Sequence, residues 1–182
     1  RRGVPGRGTW FTHRERAGGG ALIDLGVHAI DLALYVLGFP GPTVVLGATR
    51  SDFGRRDDYV YLEMWGEDAG PESFDVEDSA SAFVRADTGQ TVSLEVTRAT
   101  PKFDLIEHDL TIHRARPNGP AALEDTAVRT RDVDTHSKEQ QVFFDSILDG
   151  DDPSNVDEAL TVQRVIQAIY RSSEEGDAVS IP

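Results

Sequence analysis

Residues 21–37, ALIDLGVHAIDLALYVL, are apolar at most positions, and Gly38, Pro40 and Pro42 follow. That pattern predicts a helix capped by Gly38. VVLGATR (44–50) reads as a strand leaving the turn. Residues 51–75 are polar, with a β-like patch at YVYLEMW (59–65). SASAFVRAD (79–87) and TVSLEVTRA (91–99) alternate apolar with polar across a Thr88-Gly89 turn, the mark of a hairpin. IEHDLTIHRA (106–115) is a third alternating segment and AVRTRDV (127–133) a weaker fourth. The tail changes to helical spacing. KEQQVFFDSILDG (138–150) sets Val142, Phe143, Ile147 and Leu148 to one side and ends at Gly150. A last helix, with Ser154 as N-cap and Asp157 three residues on, carries Leu160, Val162, Val165, Ile166 and Ile169 and ends at Gly176. AVSIP is a short closing strand.

Helix, strands, helices and strand in that order predict an α+β fold, without the strict alternation of a doubly wound one. The one-sided alternation predicts a sheet (44–133) with helices on one face and the other face partly open. Residues 1–20, rich in Gly and Arg, read as a loop or arm. Residues 1–182 read as a single domain, with 21–37 and 138–175 as its helices.

The first helix raises a question of chemistry. At about 100° per residue, Asp24, His28, Asp31 and Tyr35 share one stripe of a helix apolar on its other faces. Unpaired charge in a core costs several kcal/mol, so the stripe must face a wet cleft, pair within itself or bind something. Asp24 and His28, spaced i to i+4, have the reach for a general acid/base pair. Glycines before them, Gly19 and Gly20 included, would let a substrate or cofactor approach the backbone, and Gly26 opens space beside them. An internal structural pairing of His28 with Asp31 stays open. A zinc site would want a further His or Cys, and His13, His108, His113 and His136 are scattered, so no metal is predicted.

Bulk properties narrow the partners. The chain has 182 residues, 38% of them hydrophobic, no cysteine, and a net charge of −14 from 32 acidic and 18 basic residues. Only Lys102 and Lys138 are lysines. Acidic residues spread along the whole chain repel nucleic acid and anionic membrane, so neither is predicted as a partner. An acid-rich, lysine-poor surface resembles those of proteins from salt-loving organisms; the plainer alternative is an ordinary acidic cytoplasmic protein. No apolar run of membrane length lacks a charge, and no secretory leader is visible at RRGVPGRGTW. Without a G-x-G-x-x-G or Walker motif, and with Gly18–Gly20 following no strand, no dinucleotide fingerprint is present.

The wording of GGGALIDLGVHAIDLALYVLG (18–38) closely resembles the opening of the C-terminal domain of Gfo/Idh/MocA oxidoreductases, roughly GGG-x-L-x-D-x-G-x-H-x-x-D. HRERAGGG before it is similar to the family's approach to this helix. FDVEDSASAFVRADTGQTVSLEVT (74–97) is similar to its E-D-S-A strand, turn and second strand, and FFDSILDGDDPSNVDEALTVQRVIQAIYRSSEEGDAVSIP to its closing helices and strand. The resemblance implies an open, mostly antiparallel sheet with helices on one face, and an exposed face that joins subunits into a homodimer or homotetramer. It implies that the Asp24 position orients the reacting group and that His28 transfers the proton. Its substrate would be a sugar, cyclitol or related polyol, oxidised or reduced against NAD or NADP.

Substrate contacts are expected from Trp10, Arg14 and Arg16 in the preceding loop, where arginine forks suit hydroxyls and an indole suits a sugar ring. Asp31 is grouped with them, for positioning or for structure, and Gly19 and Gly20 are candidates for cofactor contact. A plain solvated loop is the alternative for 10–16. Glu77 and Asp78 are expected to serve the strand start and its neighbouring loop. The family's Glu-Lys-Pro lysine and nucleotide-binding domain have no counterpart here. The chain is therefore expected to be the substrate and oligomerisation half of such an enzyme, cut from something longer and inactive alone. Two other functions stay open: a non-catalytic ligand- or partner-binding domain, and half of an NAD-dependent glycoside hydrolase.

Overall fold

The computed structural model describes residues 9–57, 70, 73–97, 109–115, 123–129, 134–151 and 155–182. The β-like patch at 59–65 and the Ser154 cap lie outside the described residues. Two compact units emerge, one drawn from Arg1–Lys102 with Val156–Pro182, the other from Phe103–Asn155.

The first unit is built on a four-stranded antiparallel sheet of β1 (Pro42–Arg50), β2 (Ser79–Ala86), β3 (Thr91–Thr97) and β6 (Val179–Ser180), in the order β3-β2-β1-β6. β2 and β3 form the predicted hairpin. Gly89 supplies φ 82° at its turn, and the Ala86 N–H donates to Gln90 O at 2.9 Å. Alternate residues face opposite ways. Val45, Ala80, Ala82, Val84, Leu94 and Val96 are buried, whereas Leu46 and its cross-strand partner Phe83 are 52% and 49% exposed. The sheet is open on that side.

Helices cover the other side. A short α1 (Arg14–Ala17) precedes a π-helical turn, Leu22–Gly26, that runs into α2 (Val27–Leu37). Gly38 caps α2 in the left-handed conformation, its N–H bonding back to Leu34 and Tyr35 carbonyls, as its position after the apolar run predicts. α4 (Val156–Glu175) lies over β1 and beside α2. Val162, Val165, Ile166 and Ile169 point into the core, with Ile169 against Gly47, where any side chain would collide. Leu160, expected on this face, is 45% exposed. It lies about 200° around the helix from Val162, outside the buried stripe. Ser172 and Ser173 stitch α4 to β1, accepting from Gly47 N at 2.8 Å and Thr49 N at 2.9 Å.

α2 is less buried than its composition predicts: only Ile30 and Leu34 are fully buried, and the other apolar positions are partly open. By length and composition Arg14–Leu37 could cross a membrane. Here it is broken at Gly18–Gly20, carries Asp24, His28 and Asp31, and contributes to the core shared with α4 and the sheet.

In the second unit β4 (Asp109–Ala115) and β5 (Leu123–Arg129) pair antiparallel, followed by α3 (Thr135–Asp149). Among the described residues these strands form a two-stranded sheet. α3 starts earlier than expected because Asp134 is its N-cap, accepting from Ser137 N at 3.2 Å and Ser137 Oγ at 2.6 Å. That hydroxyl bond, with the backbone one, holds the Asp134 carboxyl below its usual range. Val142, Phe143, Ile147 and Leu148 are all exposed.

Candidate active site

The chain enters the site along a short ladder. The Thr12 hydroxyl, fully buried, donates to Ser73 O at 2.9 Å, and Asp75 N–H donates to Thr12 O at 3.0 Å, tying 9–13 to the segment before β2. Arg14 N–H donates to Asp75 Oδ1 at 2.6 Å as α1 begins. Gly18, at φ 78°, then turns the chain.

Glu77 organises the turn beyond Gly18. It is 3% exposed. Its Oε1 accepts from Gly20 N at 2.7 Å and Leu22 N at 3.0 Å, and its backbone carbonyl accepts from Ala21 N at 3.0 Å. One residue thus satisfies three successive N–H groups at the start of the helix, groups that would otherwise lack partners. The Tyr170 hydroxyl, from α4, donates to the same Oε1 at 2.8 Å. Arg14 Nη2 stands 3.9 Å from Oε2, its guanidinium 5.8 Å from the Tyr170 ring centre. Burial, and then the Glu77 carboxylate, push the Tyr170 hydroxyl well above its ordinary range, so it stays a donor. Asp78 does the neighbouring work expected of it. Its carboxylate accepts from Asp52, Phe53 and Gly54 N–H groups at 2.7–2.9 Å, fixing the loop after β1.

The glycines fit this frame closely. A Cβ on Gly20 would fall 1.9 Å from Glu77 O, and one on Gly19 2.1 Å from Tyr170 Oη. The chain's own Tyr170 and Glu77 approach Gly19 and Gly20 closely, and the Gly20, Ala21 and Leu22 N–H groups are engaged by Glu77. Gly26, expected to open space beside the polar pair, is buried with Leu22 Cδ1 2.8 Å from where its Cβ would be.

Asp24 sits in the π turn, half-buried, its N–H donating to Gly20 O at 3.0 Å. His28 is in the first turn of α2 and exposed, as are Asp31 and Tyr35. Regular α-helical spacing therefore aligns His28, Asp31 and Tyr35 on one solvent-facing stripe. Asp24 is placed by the wider π turn, which a 100° rule does not describe. Trp10 is exposed and stacks on Phe11, ring centres 3.8 Å apart; Arg16 is exposed on α1. Arg14 is half engaged by Glu77 and half open. The residues missed by sequence reasoning are Tyr170, Asp75 and the reach of Glu77. The available signal was an Asp-x-Glu-Asp run directly ahead of a buried strand, where charge needs partners. Elsewhere, a groove of about 550 Å3 lies at the sheet, lined among others by Leu46, Ala48, Ser81, Ser93 and Glu95, and includes none of the expected site residues. Among the described residues no group of three His, Asp or Glu gathers as a metal site.

Comparison with known proteins agrees with the fold. The model of the GFO/IDH/MocA C-terminal domain matches residues 1–115. The chain belongs to that family. A "Putative UDP-kanosamine synthase oxidoreductase subunit" of Amycolatopsis mediterranei is 44% identical over 100 residues, 54% of this chain and 27% of that protein. D-glucoside 3-dehydrogenase of Escherichia coli is 25% identical over 195 residues, 98% of this chain and 53% of the enzyme. Among solved structures, GenD2 from gentamicin A biosynthesis, in complex with NAD, superposes with a TM-score of 0.63 at 25% identity, covering 95% of this chain and 51% of that one. The chain thus spans about half the length, or less, of the proteins it matches.

Proposed function

We propose that residues 1–182 form the substrate-binding and oligomerisation half of an NAD(P)-dependent oxidoreductase acting on a sugar or related polyol. The observation that carries this reading is the placement of His28: open to solvent on α2, one turn beyond the half-buried Asp24, in a chain of this family. A glucoside dehydrogenase and a UDP-kanosamine synthase oxidoreductase subunit among the relatives support a sugar as substrate, with a cyclitol or related polyol as the wider class.

The turn before the helix does not offer free N–H groups to a nucleotide. The N–H groups before the helix, the place where a pyrophosphate would be cradled, already bond Glu77. NAD or NADP would be held mainly outside this chain and would accept the hydride in oxidation or, in its reduced form, donate it in reduction. The chain's own part is the proton and the positioning. His28 takes the proton of the hydroxyl being oxidised, or returns it in reduction; Asp24 accepts a hydrogen bond from the reacting group and orients it. Trp10, Arg14, Arg16 and Asp31 form the sugar-facing rim. A second copy would pack on the open sheet face around Leu46 and Phe83, giving a homodimer or homotetramer, and the protein would work in the cytoplasm.

The test uses the full-length protein with a panel of glucosides, nucleotide sugars, pentoses and cyclitols. His28→Ala should lower kcat by about a hundredfold to ten-thousandfold while leaving cofactor affinity nearly constant. Undiminished turnover in that variant would remove His28 from the role.

A further inference from the structure

We propose that Glu77 is the positioning residue of the proton-transfer pair: it holds the π turn that aims Asp24, and through Tyr170 it ties that turn to α4. The inference rests on the roles given to Asp24 and His28 above and goes beyond them to the group that sets their geometry.

Three observations converge. The three N–H groups at positions 20, 21 and 22 all end on Glu77, two on Oε1 and one on its carbonyl. The next link is direct, because Gly20, held by Glu77, accepts the N–H of Asp24 at 3.0 Å. Finally, the segment so anchored is π-helical over Leu22–Gly26, a geometry that is rare, appears mostly as single turns, and is frequent at functional sites. Relaxation of Leu22–Gly26 to α-helix would rotate Asp24 relative to His28, which lies in the regular helix beyond. Anchoring Gly20 and Leu22 from outside resists that relaxation.

The rest of the Glu77 environment fits an anchor. A buried carboxylate needs compensation. Three donors on Oε1 supply part of it, two N–H groups and the Tyr170 hydroxyl, and the Arg14 guanidinium adds charge at 3.9 Å from Oε2 without a hydrogen bond. Oε2 itself makes no hydrogen bond and is buried. The Glu77 Oε1 is turned toward the helix start, where it holds the Gly20 and Leu22 N–H groups. Neither Glu77 nor Tyr170 needs to touch a substrate for this role.

The experiment compares Glu77→Ala, Glu77→Gln, Tyr170→Phe and His28→Ala in the full-length protein. A misplacement of about 1 Å can cost about a hundredfold in rate, and Glu77→Ala should lower kcat by about that factor. The sugar KM and the cofactor affinity should each change less than about threefold, because the loss falls on the reacting geometry. Glu77→Gln keeps an acceptor oxygen for Gly20 and Leu22 and should recover at least about tenfold of the rate lost in Ala. Amide exchange at Gly20, Ala21, Leu22 and Asp24 should quicken in Glu77→Ala and recover in Gln. If Glu77→Ala does not fold, Tyr170→Phe carries the test: it removes one donor, and a fall in kcat with KM unchanged and faster exchange at Gly20 and Leu22 is expected. A folded Glu77→Ala, or in its absence Tyr170→Phe, with parental kcat overturns the proposal. So does a Gln variant as slow as Ala. His28→Ala separates the two levels: if it is inactive while the Glu77 and Tyr170 variants are normal, only the Glu77 role fails; if it is fully active, the reading beneath both fails.

Discussion

Replacing Gly20 by alanine tests whether Glu77 clamps the helix start. The added Cβ would lie 1.9 Å from Glu77 O, 2.9 Å from its carbonyl carbon and 3.0 Å from Val76 Cβ. Carbon and carbonyl oxygen rest at about 3.3 Å or more, so the two backbones must part by about 1.4 Å. Glu77 has little freedom to yield. Asp78 beside it donates its N–H to Arg50 O at 3.0 Å and accepts three N–H groups of the following loop. The turn at Gly20 must withdraw instead, and bonds of 2.7, 3.0 and 3.0 Å to Glu77 then stretch beyond hydrogen-bonding range. Each buried group left without its partner costs about 1–3 kcal/mol, so losing three should destabilise Gly20→Ala by about 3–9 kcal/mol. That is a large fraction of the about 5–15 kcal/mol by which domains are stable. Gly89→Ala is the control: no atom lies within 4 Å of its Cβ, and only its φ of 82° opposes a side chain. Its cost should be about 1–2 kcal/mol. Urea titration of both variants, followed by far-UV circular dichroism and analysed by linear extrapolation, measures the difference. A Gly20→Ala protein no less stable than Gly89→Ala would show that the turn moves freely past Glu77, and the reasoning would fail.

Other outcomes stem from the same geometry. Tyr170, its ionisation held above the ordinary value of 10.0 first by burial and then by Glu77, favours the folded state fully below pH 10 and loses that contribution as pH rises above it. Parent stability should therefore fall by up to about 1.4 kcal/mol per pH unit more steeply above pH 10 than that of Tyr170→Phe, and parallel urea titrations at pH 9 to 11 would expose equal slopes if the pairing is wrong. Phe83→Glu puts a charge on the open sheet face beside Leu46 and should shift the full-length protein toward monomer in sedimentation velocity; an unchanged oligomer would move the interface elsewhere. With a net charge of −14, the melting temperature should rise as NaCl increases from about 0.1 M, where screening already reaches about 10 Å, to molar levels. A melting temperature that declines with salt would reject adaptation to a saline interior.

Much of the fold is readable from the chain because it is local. Period-two alternation in 79–87 and 91–99 with Gly89 between them can only make a hairpin, and the structure has it with the expected turn. Glycines after apolar helical runs, Gly38, Gly150 and Gly176, all take the left-handed conformation that ends a helix. Helical spacing identifies Val162, Val165, Ile166 and Ile169 as core, and the solvent-facing stripe of His28, Asp31 and Tyr35 comes from the same rule. These features depend on backbone geometry over a few residues, which composition and spacing encode directly.

What tertiary structure decided lies across long separations. Glu77 meets Gly20 from 57 residues away and Tyr170 from 93, and no local pattern specifies either meeting. That the two-residue β6 pairs with β1, more than 120 residues away in the chain, is also set by the closed core. The π turn is likewise invisible to a 100° periodicity, because Leu22–Gly26 departs from α-helix where outside groups hold its first N–H groups. Sequence alone named Asp24 and His28 as the pair to watch. The setting of Asp24 comes from a buried carboxylate brought in by the sheet, since a hydrogen bond forms only where folding has already placed both its ends.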